Sequence, residues 1–312
     1  MKNLFMQAML LASPNEQRLF PTAFLFNDVG LKIWSEIIES SDYTQTAEEI
    51  ELLREYGASI AGKIKPGSSI LDIGAGDVRK VLPLLDAFEA AKTPVQYFAV
   101  DLSEEALKRA MSFLADRYTY VKYFGLWGTF VDAMEWSRSI YGPLCILSLG
   151  SFFGNDKFHD AVARLSSWRE FMRPDDRMLL GLDGRQDEAH LWNAYHQSNN
   201  LFERFLRNGL EYSNTVLGCR WYYEDDWIVG GVLQKEPLMH RFQIMARKAV
   251  VCEELNLHFE AGEFLDCFEV FKYTPVAMKA QFDAAGFHVE CMWTSPASPN
   301  SFHDYLVSFR ST

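Results

Sequence analysis

The stretch that decides the fold is "SSILDIGAGDVRK", residues 68 to 80. An apolar run passes into a glycine turn and then into a helical pattern, as in nucleotide-binding α/β domains. Gly74 and Gly76 flank Ala75, and the absence of side chains allows the backbone to turn sharply and approach a ligand. Arg79 replaces the third glycine of a dinucleotide fingerprint, which disfavours a cradle for pyrophosphate.

An acidic residue ends the next apolar run. In "VQYFAVDLSEEAL", residues 95 to 107, Asp101 lies where a carboxylate can accept both hydroxyls of a ribose. A glycine turn with this acid, but without a phosphate cradle, favours S-adenosylmethionine (SAM), which has a ribose and no phosphate. The alternative is an ordinary α/β turn in which Asp101 or Ser103 caps the following helix.

The surrounding pattern predicts an α/β fold. Between residues 69 and 184, short continuous apolar runs alternate with helical segments, which is typical of a parallel sheet covered on both faces. Near the C-terminus, "VAMKAQFDAAGF" predicts a helix stopped at Gly286, and "HVECMWTS" and "SFHDYLVSFR" predict two strands joined by the turn "PASPNS". A closing hairpin of this kind predicts the class I SAM-dependent methyltransferase fold, a Rossmann-like, mostly parallel sheet with an antiparallel C-terminal hairpin.

The flanking segments predict a second, smaller domain. Residues 1–55 are helical in pattern, and residues 186–272 combine a long helical segment, "EAHLWNAYHQSNNLFERFLRNGLE", with aromatic strand-like runs. We expect 56–185 and 273–312 to form a discontinuous SAM-binding domain, and 1–55 and 186–272 to form an α+β substrate-binding domain. At the N-terminus, the spacing of Leu4, Met9 and Leu10 predicts an amphipathic helix rather than a signal peptide.

Composition limits the partners. The chain of 312 residues has a net charge of −12 without long charge blocks, so it offers no basic stripe for nucleic acid. No apolar run approaches the roughly 20 residues needed to cross a bilayer. The five cysteines are scattered, and neither they nor the histidines show metal-site spacing. We therefore expect a cytoplasmic protein, a monomer or weak homo-oligomer, that acts on a small molecule without metal, membrane or nucleic acid.

Several motifs in order carry a more specific resemblance. They are "FNDVGLKIWSEIIESSDYTQTAEEIELL", "LDIGAGDVRKVLPLLDAF", "YFAVDLSEEAL", "LSLGSFFGN" and "LLGLDGRQDEAHLWNAY". As a set, from about residue 20 to the C-terminus, the chain resembles the histidine-specific SAM-dependent Nα-methyltransferases of ergothioneine biosynthesis and their fungal relatives that N-methylate dimethylallyltryptophan. "YVKYFGLWGTFVDAMEW" is nearer to the fungal alkaloid branch.

The resemblance implies a set of residues that bind the methyl donor. SAM is expected over Gly74 and Gly76, with its ribose on Asp101. Thr129 and Phe130 fall where the family places an Asp-Phe pair beside adenine, which leaves the contact with the adenine amino group open. The remaining residues implied at the donor are Lys80, Leu102 and Gly150.

The resemblance also implies the residues that bind the acceptor. Asn155 and Tyr195 match the Asn and Tyr that hold the substrate carboxylate, and they are the candidates for catalytic positioning. Tyr43 matches a Tyr that contacts the substrate ring, and Phe26 stands where the histidine enzymes have a Tyr near the amine. Without the resemblance, tyrosines on helices and a turn asparagine would be ordinary structural residues.

The segment "CFEVFKY" departs from the histidine enzymes. Phe268 and Val270 align with the Glu and Ser that contact imidazole, whereas Glu269 is one residue out of register and would point to the opposite face of a strand. A pocket without these partners should reject histidine, because its ring would be buried unpaired. An apolar pocket suits an indole or another large aromatic group.

The sequence therefore predicts a SAM-dependent N-methyltransferase acting on the α-amine of an aromatic amino acid. Tryptophan, or a prenylated or otherwise modified tryptophan, is the favoured acceptor. Two alternatives stay open: an L-histidine Nα-methyltransferase of ergothioneine biosynthesis, and a catalytically silent SAM-binding protein.

Overall fold

The computed structural model describes residues 1–9, 18–196, 198–298 and 301–309. The chain divides into two compact units. Unit 1 comprises Met1–Thr44 and Asp187–Phe271, and unit 2 comprises Gln45–Gln186 and Lys272–Thr312. The helix Gln45–Ala61 lies wholly in unit 2, whereas a boundary after residue 55 would cut it. The assignment of SAM binding to one domain and substrate binding to the other stays a prediction.

The elements follow one another as the alternating pattern predicts. The helices of the described residues are α1 (Lys2–Met9), α2 (Asp28–Ile38), α3 (Gln45–Ala61), α4 (Leu82–Ala90), α5 (Glu104–Leu114), α6 (Phe130–Ser137), α7 (Phe158–Arg169), α8 (Glu188–His196), α9 (Leu201–Leu217) and α10 (Pro275–Ala284). The strands are β1 (Ser69–Ile73), β2 (Val95–Asp101), β3 (Val121–Trp127), β4 (Leu144–Ser148), β5 (Arg177–Asp183), β6 (Trp227–Lys235), β7 (Leu238–Ala246), β8 (Val250–Cys252), β9 (Leu257–Phe259), β10 (Phe264–Lys272), β11 (Phe287–Thr294) and β12 (Phe302–Phe309).

Unit 2 contains a seven-stranded sheet in the order β11-β12-β5-β4-β1-β2-β3. Strands β1 to β5 pair in parallel, while β12 is antiparallel to both β5 and β11. The predicted class I methyltransferase fold, with its C-terminal antiparallel hairpin, is confirmed. Pro299 and Asn300 of the predicted turn lie outside the described residues.

The central strands are buried along their whole length. Every residue of β1 and β4 is buried, as expected for strands covered by helices on both faces. Because these strands are parallel, their carboxyl ends meet along one side of the sheet, called here the carboxyl edge. Ligands of open α/β sheets bind at this edge.

Unit 1 contains a three-stranded sheet, β10-β7-β6, and the short hairpin β8-β9. The segment expected as one long helix is divided into α8 and α9, because Asn199 and Asn200 adopt left-handed φ angles of 54° and 58°. Strand β6 is not apparent from the sequence, because Gly230 and Gly231 interrupt its apolar pattern. Strands β6 and β7 nevertheless pair from Trp227↔Ala246 to Lys235↔Leu238.

The predicted N-terminal helix is present as α1. Phe5 and Met9 are its buried residues, whereas Leu4 is exposed. Leu10, expected on its apolar face, lies outside the described residues. Nowhere in the described ranges is a helix both long and apolar enough to cross a membrane.

The buried centre of the unit 2 sheet should dominate stability. Leu147 on β4 is fully buried, so Leu147→Ala is expected to cost about 3 kcal/mol of unfolding free energy through the cavity it leaves. Val276→Ala, at a position 81% exposed, is the control and should change stability by less than about 0.5 kcal/mol. Urea unfolding measures both, and equal shifts would contradict this account of the core.

Candidate active site

The glycine turn joins the ends of β1 and β2. The backbone N–H groups of Gly74 and Ala75 both donate to the Val100 carbonyl at 3.0 Å. Gly74 and Gly76 have φ angles of 71° and 51°, a region that favours glycine. A β-carbon on Gly74 would lie 3.5 Å from the Phe130 ring. The turn therefore leaves an exposed, side-chain-free surface at the carboxyl edge.

The backbone orients the carboxylate of Asp101. One oxygen accepts the Gly76 N–H at 2.9 Å, and the other accepts the Ser103 N–H at 2.8 Å. Each oxygen keeps a further acceptor site, so the group can still bind two hydroxyls. The Ser103 hydroxyl caps α5 by accepting from the Ala106 N–H at 3.1 Å. Ser103 therefore caps α5, as in the alternative interpretation, and the Asp101 carboxylate beside it can still accept hydrogen bonds from a ligand.

The start of α6, which follows β3, contributes an aromatic side chain. Phe130 packs edge-on against Phe152, with ring centroids 4.8 Å apart. Thr129 forms a capping box with Asp132: its hydroxyl accepts the Asp132 N–H at 3.1 Å and donates to the Asp132 carboxylate at 2.7 Å. The hydroxyl proton of Thr129 is therefore already used. Leu102 is 61% exposed at the carboxyl edge.

The positively charged group at the carboxyl edge is Lys80, which pairs with the buried Glu49. Lys80 Nζ lies 3.2 Å from Glu49 Oε2, and the Gly150 N–H donates to Glu49 Oε1 at 2.9 Å. Gly150 has a φ angle of 89°, and a β-carbon there would lie 2.6 Å from Lys80 Nζ. The ammonium group is therefore fixed directly against the backbone of the loop after β4.

Together these residues fit the chemical parts of SAM. The carboxylate of Asp101 suits ribose hydroxyls, and the ammonium of Lys80 suits a carboxylate. Phe130 and Leu102 offer apolar surface for a flat heterocycle. All of them belong to unit 2 and follow the carboxyl ends of its strands.

The loop after β4 has an unusual backbone. Gly150, Ser151 and Gly154 have φ angles of 89°, 63° and 79°. The left-handed conformation of Ser151 is held by two hydrogen bonds: its N–H donates to the Gly181 carbonyl at 2.9 Å, and its hydroxyl accepts the Asp183 N–H at 3.1 Å. Strained conformations of this kind concentrate at functional sites. Asn155 is half-buried at the end of this loop, in unit 2.

Unit 1 brings most of the predicted acceptor residues into one aromatic cluster. Trp34 lies at its centre, with ring centroids 5.7 Å from Phe26 and 6.0 Å from Tyr43. Tyr43 lies 6.0 Å from Tyr195. The aromatic cluster consists of Phe26, Trp34, Tyr43, Tyr195, Phe202, Phe205 and Phe268. Val270 belongs to the same buried core.

Three members of the aromatic cluster were not predicted from the sequence motifs. They are Trp34, Phe202 and Phe205. The spacing of Phe202 and Phe205, three residues apart on α9, places them on one helix face and is the signal that could have found them. Trp34 could not be found in this way, because the aromatic rings that it contacts belong to other segments of the chain.

Glu269 is bound away from the aromatic cluster. Arg241 reaches its Oε1 with Nε at 2.7 Å and with Nη2 at 2.6 Å. The neighbouring Phe268 instead packs edge-on against Phe205, with ring centroids 6.5 Å apart. The carboxylate of Glu269 is therefore satisfied by an arginine, and the strand presents Phe268 to the cluster.

A histidine pair supports Tyr195. The Nε2 atoms of His196 and His240 lie 2.8 Å apart, and the Tyr195 ring stacks on His240 at 4.9 Å. Burial lowers the pKa of His196, which favours the neutral ring that such a pair needs. Tyr195 and His196 also line a small cleft within unit 1. These contacts fix the Tyr195 ring at the rim of the cleft.

Comparison with known proteins assigns the chain to a family. The family model for histidine-specific, SAM-dependent methyltransferases matches residues 6–308. The chain belongs to this family. The predicted family and its methyl donor, SAM, are thereby confirmed.

The relatives include members of both predicted branches. Ergothioneine biosynthesis protein 1 of Neurospora crassa is 32% identical over 89% of this chain, and the chain spans only 32% of that protein's length. N-methyltransferase imqF of Aspergillus flavus is 27% identical over 88% of this chain and 77% of its own length. The 4-dimethylallyltryptophan N-methyltransferase easF of Claviceps fusiformis is 27% identical over 89% of this chain and 85% of its own length.

The carboxylate of Asp101 gives a direct test of the donor site. Asp101→Ala should weaken SAM binding by about a hundredfold, because two hydrogen bonds to a charged group are lost and the glycine turn loses its anchor. Glu104→Ala, on the exposed first turn of α5, is the control. Calorimetric titration with SAM measures both variants, and an unchanged dissociation constant in Asp101→Ala would rule out the ribose assignment.

Proposed function

We propose that this protein transfers a methyl group from SAM to the α-amine of an aromatic amino acid, with tryptophan or a modified tryptophan as the acceptor. The observation that carries the proposal is the replacement of the imidazole-binding pair. The resemblance to the family implies that Phe268 and Val270 stand at the two positions of that pair, and Arg241 binds the carboxylate of the intervening Glu269. A cluster of six-membered and indole rings favours a large aromatic side chain.

On the donor side, the protein's own groups are proposed to hold and orient SAM. Bound SAM supplies an electrophilic methyl group on its sulfonium. Asp101 is proposed to accept the ribose hydroxyls, and Lys80 to pair with the carboxylate of SAM. Leu102, Thr129 and Phe130 are proposed around adenine, and the glycine turn with Gly150 gives the backbone surface. Holding the donor in this way converts transfer into a reaction between fixed partners.

On the acceptor side, the amine must be neutral before it can attack. Apolar surroundings favour the neutral amine over the ammonium, so no dedicated strong base is required. Asn155 and Tyr195 are proposed to bind the acceptor carboxylate. Tyr43, Phe26, Phe268 and Val270 are proposed to shape the pocket for the ring. The ammonium releases its proton to solvent before transfer, so that the nitrogen lone pair is free to attack the methyl group.

Histidine Nα-methylation is the second candidate. It is favoured by the 32% identity to the ergothioneine biosynthesis protein of Neurospora crassa. It is disfavoured by the apolar residues at the two aligned positions, because an imidazole buried beside them would lose its hydrogen bonds.

We also infer a cytoplasmic location and a monomeric or weakly associated state. The cysteines at 145, 219, 252, 267 and 291 are free thiols, and this supports a reducing compartment. Size-exclusion chromatography with light scattering tests the oligomeric state.

The experiment that tests the proposed function is a product screen. Purified protein with SAM is incubated separately with tryptophan, 4-dimethylallyltryptophan, tyrosine and histidine, and products are identified by mass spectrometry. Methylated tryptophan-type products support the proposal. Efficient methylation of histidine alone would contradict it, and SAM binding without any product would favour the catalytically silent alternative.

The two aligned positions should control acceptor choice. The double variant Phe268→Glu, Val270→Ser restores the polar pair and should raise the ratio of kcat/KM for histidine over tryptophan by about tenfold or more, since imidazole regains its partners. Phe264→Glu, at an exposed position of the same strand, adds the same charge away from the cluster and is the control. An identical ratio in the double variant and the control would exclude these positions from acceptor recognition.

A further inference from the structure

Two carboxyl groups meet in the interior of unit 2. Glu49 on α3 and Asp304 on β12 are both fully buried. A β-carbon on Gly181 of β5 would overlap Glu49 Oε1 and would lie 3.0 Å from Asp304 Oδ1. The missing side chain of Gly181 therefore leaves the space in which the two carboxyl groups come together.

Their surroundings are unequal. Glu49 accepts the Gly150 N–H at 2.9 Å and faces Lys80 Nζ at 3.2 Å. Neither carboxyl oxygen of Asp304 has a hydrogen-bond partner among the described residues. Two ionised carboxylates buried around a single ammonium group would leave one charge uncompensated, which is strongly unfavourable.

The charges facing this pair come from several elements. Lys80 faces it from the segment before α4, and on β1 the buried Asp72 has a pKa raised to about 6 by burial, with the charge of Glu49 adding to that shift and Lys80 opposing it. Burial, followed by the charge of Glu49, raises the pKa of Asp304 well above its ordinary value, although the charge of Lys80 opposes the shift. Burial also raises the pKa of Glu49, but Lys80 and the Gly150 N–H oppose that shift. The proton therefore belongs on Asp304 and the negative charge on Glu49.

We propose that Glu49 and Asp304 hold one proton between them at neutral pH, carried by Asp304, and that the ionised Glu49 is a positioning residue for the methyl donor, acting through Lys80 and Gly150. This inference rests on the proposed roles of Lys80 and Gly150 in SAM binding. Glu49 fixes the ammonium of Lys80 and the backbone of Gly150 at once. The protonated Asp304 keeps its carboxyl group neutral, so that Lys80 has one buried anion fewer to balance.

The shared proton is tested without any ligand by the variant Asp304→Asn. Asparagine keeps the shape of the side chain but has no carboxyl group to titrate. A carboxyl with a raised folded pKa contributes stability that is present below its unfolded pKa and is lost as pH rises through the folded pKa. From about pH 5 to about pH 9, the melting temperature of the wild type should therefore fall relative to that of Asp304→Asn. Parallel melting curves across this range would overturn the shared proton.

The positioning role is tested by comparing Glu49→Gln with Asp304→Asn in calorimetric titration with SAM near neutral pH. Glu49→Gln should weaken binding about tenfold, because Lys80 loses the anion that fixes it, whereas Asp304→Asn should stay within about twofold of the wild type. A merely structural role predicts equal effects of these two buried isosteric changes, and equal effects would overturn the proposal. A wild-type protein that does not bind SAM would contradict the proposed donor site, while the melting curves judge the shared proton independently.

Discussion

The hydrogen bond from the Gly76 N–H to the Asp101 carboxylate, at 2.9 Å, ties the end of β1 to the end of β2, and the donor site depends on it. The parallel register of the two strands brings the turn and the acid to the same edge. The positive φ angle of Gly76 allows its N–H to point at the carboxylate. A sharp turn without side chains and an oriented acid are therefore one structural unit. This unit has the chemistry proposed for the ribose of SAM, which carries no phosphate.

Electrostatics at the carboxyl edge follow from burial. Lys80 is held between Glu49 and the backbone of Gly150, so its ammonium is fixed where the loop after β4 begins. Because Asp304 lies beside this pair with no hydrogen-bond partner among the described residues, the charge balance of the cluster depends on its protonation. Glu49, which lies on α3, and Asp304 thus set the charge beside Lys80 at the proposed donor site.

Much of the fold could be predicted from the sequence because local patterns determine it. Continuous apolar runs identified β1 to β5, and the final hairpin identified the class of the sheet. The break between α8 and α9 could not be predicted, since it depends on the left-handed backbone of Asn199 and Asn200. Trp34 contacts Phe205, and Glu49 contacts Lys80 and Gly150. Because these residues are far apart in sequence, no periodic pattern predicts the contacts. The motifs named the candidate site residues, but not the side chains that support them.

The central claim is that an apolar ring pocket selects a tryptophan-type acceptor. It is tested most directly by a competition: the protein is given SAM carrying a ¹³C-labelled methyl group together with equal amounts of tryptophan, 4-dimethylallyltryptophan and histidine, and labelled products are quantified by mass spectrometry. The account predicts that the label appears on the α-amine of the tryptophan-type acceptors and is nearly absent from histidine. Preferential labelling of histidine would contradict it.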